Sequence, residues 1–112
     1  MKFDLNHRKF KSLLNSDNGE VHDGTIFHYR QESKLIWAEY QGGKIQKGFL
    51  VGQVIGDYLE FTYQHLNADF ELMTGVCKSF PELSEGGKIK LNEDWKWTCK
   101  DFSAGKSILI EI

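Results

Sequence analysis

The sequence predicts an all-β fold, a single antiparallel up-and-down barrel of about eight strands spanning residues 1–112. Three observations carry that prediction. Runs with period-two alternation, rich in aromatic and β-branched residues, recur along most of the chain. Eleven glycines stand against a single proline, which suits many tight turns rather than long helices. The links between runs read as short, so consecutive strands become antiparallel neighbours, and closing such a meander removes its exposed edges.

Taken in order, the strands fall near residues 9–14, 25–31, 35–41, 44–55, 58–66, 71–80, 88–100 and 106–112. Leu5 to Leu14 has some helical periodicity, but Phe10, Leu13 and Leu14 serve a first strand equally well. Gly42-Gly43 suits a type I′ turn, whose two central residues need positive φ; Gly56-Asp57 suits type II′. Glu32-Ser33, Asn67 to Asp69, Glu85 to Gly87 and Asp101 to Gly105 mark further links. These turns set Trp37 opposite Gly48, Leu35 opposite Leu50, Leu50 opposite Tyr63, Gly52 opposite Phe61, Val54 opposite Leu59 and Gly48 opposite His65. Rings then cover glycines on one face of a central three-strand meander.

Alternation assigns the faces. Leu59, Phe61, Tyr63 and His65 point inward, as do Ile89, Leu91, Glu93, Trp95, Trp97 and Cys99, while the intervening Lys88, Lys90, Lys96 and Lys100 point to solvent. Carrying the register back places Leu35, Trp37, Glu39, Ile26, His28 and Arg30 inside. The opposite face then holds Phe27, Tyr29, Ile36, Ala38, Tyr40, Ile45, Phe49 and Val51, too apolar for plain solvent exposure. Two explanations stand: a one-residue bulge that inverts these strands, or an outer patch of Phe27, Tyr29, Ile36, Tyr40, Phe49 and Val51 that pairs two copies into a homodimer. We carry the homodimer forward as the expectation.

The formal net charge is −2 and acids and bases are interspersed. No basic stripe exists to displace counterions from phosphates, which excludes a nucleic-acid partner. No membrane span and no secretory signal are visible, so a cytoplasmic chain is expected. Cys77 and Cys99 read as reduced thiols, with Cys77 roughly opposite Asp94.

The candidate chemistry is the polar set of the proposed interior: His28, Arg30, Glu39, Tyr63, His65 and Glu93, beside Trp37, Trp95 and Trp97. Buried charges are costly unless paired, so these groups either satisfy one another (Arg30 with Glu39, His65 with Glu93) or line a cavity that holds one small, partly aromatic or anionic ligand. His65, Arg30 and Glu93 would be its polar anchors and the tryptophans its walls. An enzyme would use Glu39 or Glu93 as a base with His28 or His65, but no spacing selects them. Nucleophile elbow, zinc-protease, P-loop and dinucleotide motifs are absent. The sequence supplies no catalytic residue, metal site or cofactor; a non-enzymatic protein is expected.

The blocks Phe27-His28-Tyr29, Trp37-Ala38-Glu39-Tyr40, Lys47-Gly48-Phe49-Leu50-Val51-Gly52, Phe61-Thr62-Tyr63-Gln64-His65 and Trp95-Lys96-Trp97-Thr98 resemble a family of small bacterial proteins often labelled n-acetylglutamate synthase, over about residues 9–112. That label implies acetyl transfer from acetyl-CoA to glutamate. It calls for a strand, a pyrophosphate-cradling loop of the form Q/R-x-x-G-x-G/A, and a helix. The nearest match, Gln53-Val54-Ile55-Gly56-Asp57-Tyr58, breaks at Tyr58 and runs into a strand. The whole pattern is also similar to lipocalin- and avidin-like barrels, and that resemblance implies a ligand held inside.

Overall fold

The computed structural model describes residues 3–112. Eight strands close into one antiparallel barrel in chain order: β1 Arg8–Asn15, β2 Ile26–Glu32, β3 Leu35–Gly42, β4 Ile45–Ile55, β5 Tyr58–Asn67, β6 Leu72–Leu83, β7 Ile89–Trp97 and β8 Ala104–Glu111. The last strand returns to the first, Phe10 facing Glu111, so every ladder finds a partner and no edge is left for a second chain. Leu5 to Leu14 resolves as strand rather than helix from Arg8 onward. Among the described residues no helix is long and apolar enough to cross a membrane.

Pairing of β4 with β5 follows the alternation and the Gly56-Asp57 turn: Leu50 faces Tyr63, Gly52 faces Phe61, Val54 faces Leu59 and Gly48 faces His65. Gly56 holds φ at 59°, as the first central residue of the loop requires. Aromatic cover of glycine is a recurring device. A Cβ at Gly48 would meet the Tyr40 ring at 2.4 Å, whereas at Gly52 it is the β5 backbone that leaves no room, with Phe61 Cα at 2.5 Å. Gly75 lies under Tyr63, and Gly105 under Trp95, in the same way.

The β3–β4 pairing corrects the sequence reading. Trp37 faces Val51 instead of Gly48, and Leu35 faces Gln53 instead of Leu50. Two local events combine. The hairpin turns one residue later than expected, with Gly42 paired to Ile45 around Gly43-Lys44. A bulge at Gln46-Lys47 then inserts one extra residue in β4, so that Ile45 and Gly48, three positions apart, both point inward. Together they shift the register by an odd number and exchange the two faces of β3, and of β2 paired to it.

Phe27, Tyr29, Ile36, Ala38, Tyr40 and Ile45 are therefore core, each at most 5% exposed. The expected homodimer patch loses Phe27, Tyr29, Ile36 and Tyr40 to the interior, where Phe27 stacks on Tyr40 with centroids 4.7 Å apart. Phe49 and Val51 remain outside, as expected. A second, smaller correction concerns β6 and β7, where Cys77 faces Trp95 rather than Asp94.

The core fills the barrel from one end. Leu5 is fully buried there, its backbone N–H donating to Gln31 Oε1, above Phe10, Ile36, Leu59, Leu91 and Leu109. At the other end β1 and β2 are joined by ten residues, Ser16 to Thr25, which corrects the expectation that every connection is short.

Candidate functional site

Between the apolar plug and the long connection lies a cavity of about 50 Å3. That is room for one or two waters, given a share of about 30 Å3 per molecule in the liquid. β5 contributes Phe61, Tyr63 and His65; β7 contributes Glu93, Trp95 and Trp97; Phe27, Tyr40, Leu50, Cys77 and Ser107 complete the wall. Glu20 and its neighbours in the β1–β2 connection close the top. The rings interlock edge to face: Trp95 with Trp97 at 5.4 Å, Tyr63 with Trp97 at 5.9 Å and Tyr40 with His65 at 5.6 Å between centroids.

Five of the nine candidate residues meet here: Tyr63, His65, Glu93, Trp95 and Trp97. The other four do not. His28, Arg30, Trp37 and Glu39 sit on the outer face, because the inverted β2 and β3 turn them there. They do lie side by side, His28 opposite Glu39 and Arg30 opposite Trp37, but in the open. The expected internal pairs dissolve accordingly: Glu39 bonds Lys47, and His65 bonds Glu20.

The top of the cavity is tied together by hydrogen bonds. Tyr40 donates its hydroxyl to His65 Nδ1 at 2.9 Å, leaving Nε2–H to donate to Glu20 Oε1 at 2.8 Å. Burial keeps the Tyr40 phenol protonated by raising its pKa well above the usual value. Burial also lowers the His65 pKa, against the opposing pull of the Glu20 carboxylate, so the neutral tautomer defined by these two bonds is favoured. Asn67 Nδ2 donates to the other Glu20 oxygen at 3.1 Å. Trp95 Nε1–H donates to Asn15 Oδ1 at 3.1 Å, and Trp97 Nε1–H to the Asn18 carbonyl at 3.0 Å.

The floor is different. Ser79, Glu93 and Ser107 stand in one row across β6, β7 and β8. Ser107 Oγ donates to Glu93 Oε1 at 3.1 Å. Ser79 Oγ also lies near enough to the Glu93 carboxyl to hold its pKa down against the larger effect of burial. Glu93 Oε2, Ser79 Oγ and the Tyr29 hydroxyl, all buried, make no hydrogen bond of normal geometry within the protein, and of the three residues only Glu93 lines the cavity. Desolvation pushes the Glu93 carboxyl up to about 7, so near neutral pH it is shared between the acid and its anion. The same burial, with the Glu93 charge nearby, raises the Tyr29 phenol.

Sequence reasoning missed Tyr29, Tyr40, Ser79, Ser107 and the latch formed by Glu20 and Asn67. Ser79 and Ser107 were within reach of it: once Glu93 is placed inward, its partners on the neighbouring strands must share its face. Glu20 carries no such signal, because a loop has no period. Cys77 and Cys99 are both free thiols, Cys77 in the wall and Cys99 against Met73 and Thr74. Gln53 to Tyr58, the nearest match to an acetyl-CoA loop, is the β4–β5 hairpin, and Tyr58 opens a strand rather than a helix. Among the described residues no cluster of histidine, cysteine and carboxylate side chains is arranged to hold a metal ion.

A family model described as avidin-like protein matches residues 3–112. No curated protein and no solved structure matches the chain.

Proposed function

The chain belongs to the avidin-like family, and on that premise we propose that it is a non-enzymatic binding protein whose barrel holds one small molecule inside. The observation that carries this reading is the floor. Glu93 presents to an aromatic-walled cavity a buried carboxyl whose Oε2 has no partner within the protein, with Ser107 beside it in the wall. Leaving such an atom unbonded costs about 1–3 kcal/mol, which a water or a group of a bound molecule recovers by supplying the bond. A carboxyl near its titration midpoint, with the Ser107 hydroxyl beside it, complements a compact, neutral group that offers both a carbonyl and an N–H or O–H. Rings of Trp95, Trp97 and Tyr63 supply flat apolar walls for the rest of the molecule.

The test uses Trp37→Phe, which leaves Trp95 and Trp97 as the only tryptophans, both in the wall. Titration with small amides, ureas, lactams and hydroxy compounds is expected to change their fluorescence with saturation at one molecule per chain. A flat response across all four classes, in folded protein, counts against an interior site. Two free thiols suit a reducing compartment, and the cytoplasm is the location we propose.

A second reading, self-association, draws on the outer face. Trp37, Val51, Thr62 and Val76 form one row across β3 to β6, with Phe49 beside it, and the four apolar members of this group are 37–54% exposed. A homodimer through this row replaces the one expected through Phe27 and its neighbours. Light scattering at high micromolar concentration is expected to give a mass of two chains, reduced to one by Trp37→Glu.

A further inference from the structure

We propose that the β1–β2 connection, Ser16 to Thr25, is a lid over the cavity, latched by Glu20 on His65 and Asn67, and that the cavity opens by releasing that latch. The inference gives the ligand site of the preceding section its means of access, and so rests on that reading for its purpose; its geometry stands apart.

The neighbouring hairpins show that a lid is not needed to turn the chain. β2–β3, β3–β4 and β4–β5 each reverse with two residues. The ten residues joining β1 to β2 instead cross the mouth, and they attach to the barrel's inward side chains. His65 and Asn67, only 2% and 3% exposed, both donate to the Glu20 carboxylate. Trp97 donates to the Asn18 carbonyl, and Trp95 to Asn15 at the base of the connection. On the rim, Asn18 Nδ2 donates to Ser103 Oγ and to the Ala104 carbonyl, each at 3.0 Å.

The two ends of the barrel are closed by different chemistry. At the far end Leu5 sits fully buried on aliphatic and aromatic side chains, a contact that water cannot replace. Across the mouth the only apolar side chain of the connection is Val21, and the remaining attachments are hydrogen bonds. Water replaces hydrogen bonds at small net cost, so this closure is the one that opens while the barrel stays intact. Opening also returns two donors to the cavity wall, the Trp97 N–H and His65 Nε2–H. A molecule entering from this side inherits the bonds that the lid gives up.

The experiment needs no ligand. In the Trp37→Phe background, acrylamide quenching reports access to Trp95 and Trp97. Hydrogen exchange reports the connection through the Gly19 and Thr25 amides, which bond within it to the Ser16 and His22 carbonyls. Glu20→Ala is expected to raise the quenching constant at least threefold and to speed those two amides at least tenfold. Exchange at Tyr63 and Cys77, in β5 and β6, stays unchanged. Glu20→Gln, which keeps one bond and loses the charge, should fall between. The proposal is overturned if quenching and loop exchange match those of the parent. It is equally overturned if exchange rises uniformly through the barrel, or if neither variant folds, because the connection is then part of the core. Silence towards every ligand tried, with the lid opening as described, would defeat the binding reading and leave the lid standing.

Discussion

The floor and the mouth of the cavity are built from similar residue types and reach opposite states. At the mouth His65, Asn67 and Trp97 donate to the β1–β2 connection, and Trp95 to Asn15 at the end of β1. Below it Tyr29, Ser79 and Glu93 each keep a buried polar atom with no hydrogen bond of normal geometry to the protein, and of the three only Glu93 lines the cavity. The proposed interior site rests on this difference.

Removing the floor's charge gives the largest expected effect. Burial raises the Glu93 carboxyl from 4.5 to about 7, so the folded chain holds that proton more tightly than the unfolded chain does. The stability linked to it is complete below about pH 4.5 and is lost as the pH rises through about 7. Glu93→Gln mimics the protonated acid, so it should exceed the parent by about 3 kcal/mol at alkaline pH, with the gain fading to nothing near pH 4.5. Urea denaturation at several pH values measures this. His65 works in the opposite sense, its lowered pKa costing stability as the pH falls, but it is common to both proteins and cancels. A gain that does not vary with pH would mean that Glu93 does not titrate as placed.

Next in size is a change between floor and mouth. In Gly105→Ala the new methyl would meet the Trp95 ring at 2.3 Å, so the ring must move and strain its bond to Asn15. A loss of about 2 kcal/mol is expected from calorimetry, within the range of overpacked cores. At the mouth, Trp97→Phe deletes the N–H that holds Asn18 together with part of the ring, and about 1–2 kcal/mol should be lost. The smallest effect sharpens the comparison most. Tyr29→Phe removes a buried hydroxyl that bonds to nothing, so its cost should be under about 0.5 kcal/mol, and a slight gain is consistent with the account. If it costs as much as Trp97→Phe, the floor is satisfied and the contrast fails.

Most of the barrel was legible because period two is a strong signal where one face is wet. In β7 every second residue from Lys88 to Lys96 is polar, so Glu93, Trp95 and Trp97 could only face inward. β5 reads equally well. In β2 and β3 the signal was present but the register that carried it was not. Trp37 and Tyr40 are both aromatic, and deciding which one lies inside depends on the bulge at Gln46-Lys47, since a turn one residue further along shifts the pairing by two and leaves the faces unchanged. The bulge leaves no mark in composition. The excess of apolar residues on the supposed outer face was the true warning, and inversion, not a partner, was its cause. Of the site, the strand-borne half followed from alternation. Glu20 was invisible, because its role depends on where an aperiodic segment crosses the mouth.

At the centre of the proposal is a ligand bonded to Glu93 and the polar groups around it. Calorimetric titration of the parent and of a Tyr29→Phe, Ser79→Ala, Glu93→Gln triple variant, with the same amides, ureas, lactams and hydroxy compounds, tests it most directly. The account predicts that a compound binding the parent one to one loses at least tenfold in affinity to the variant, about 1.4 kcal/mol, while the variant stays folded. Equal affinity for both proteins, or no binding to the parent by any of these compounds, would contradict it.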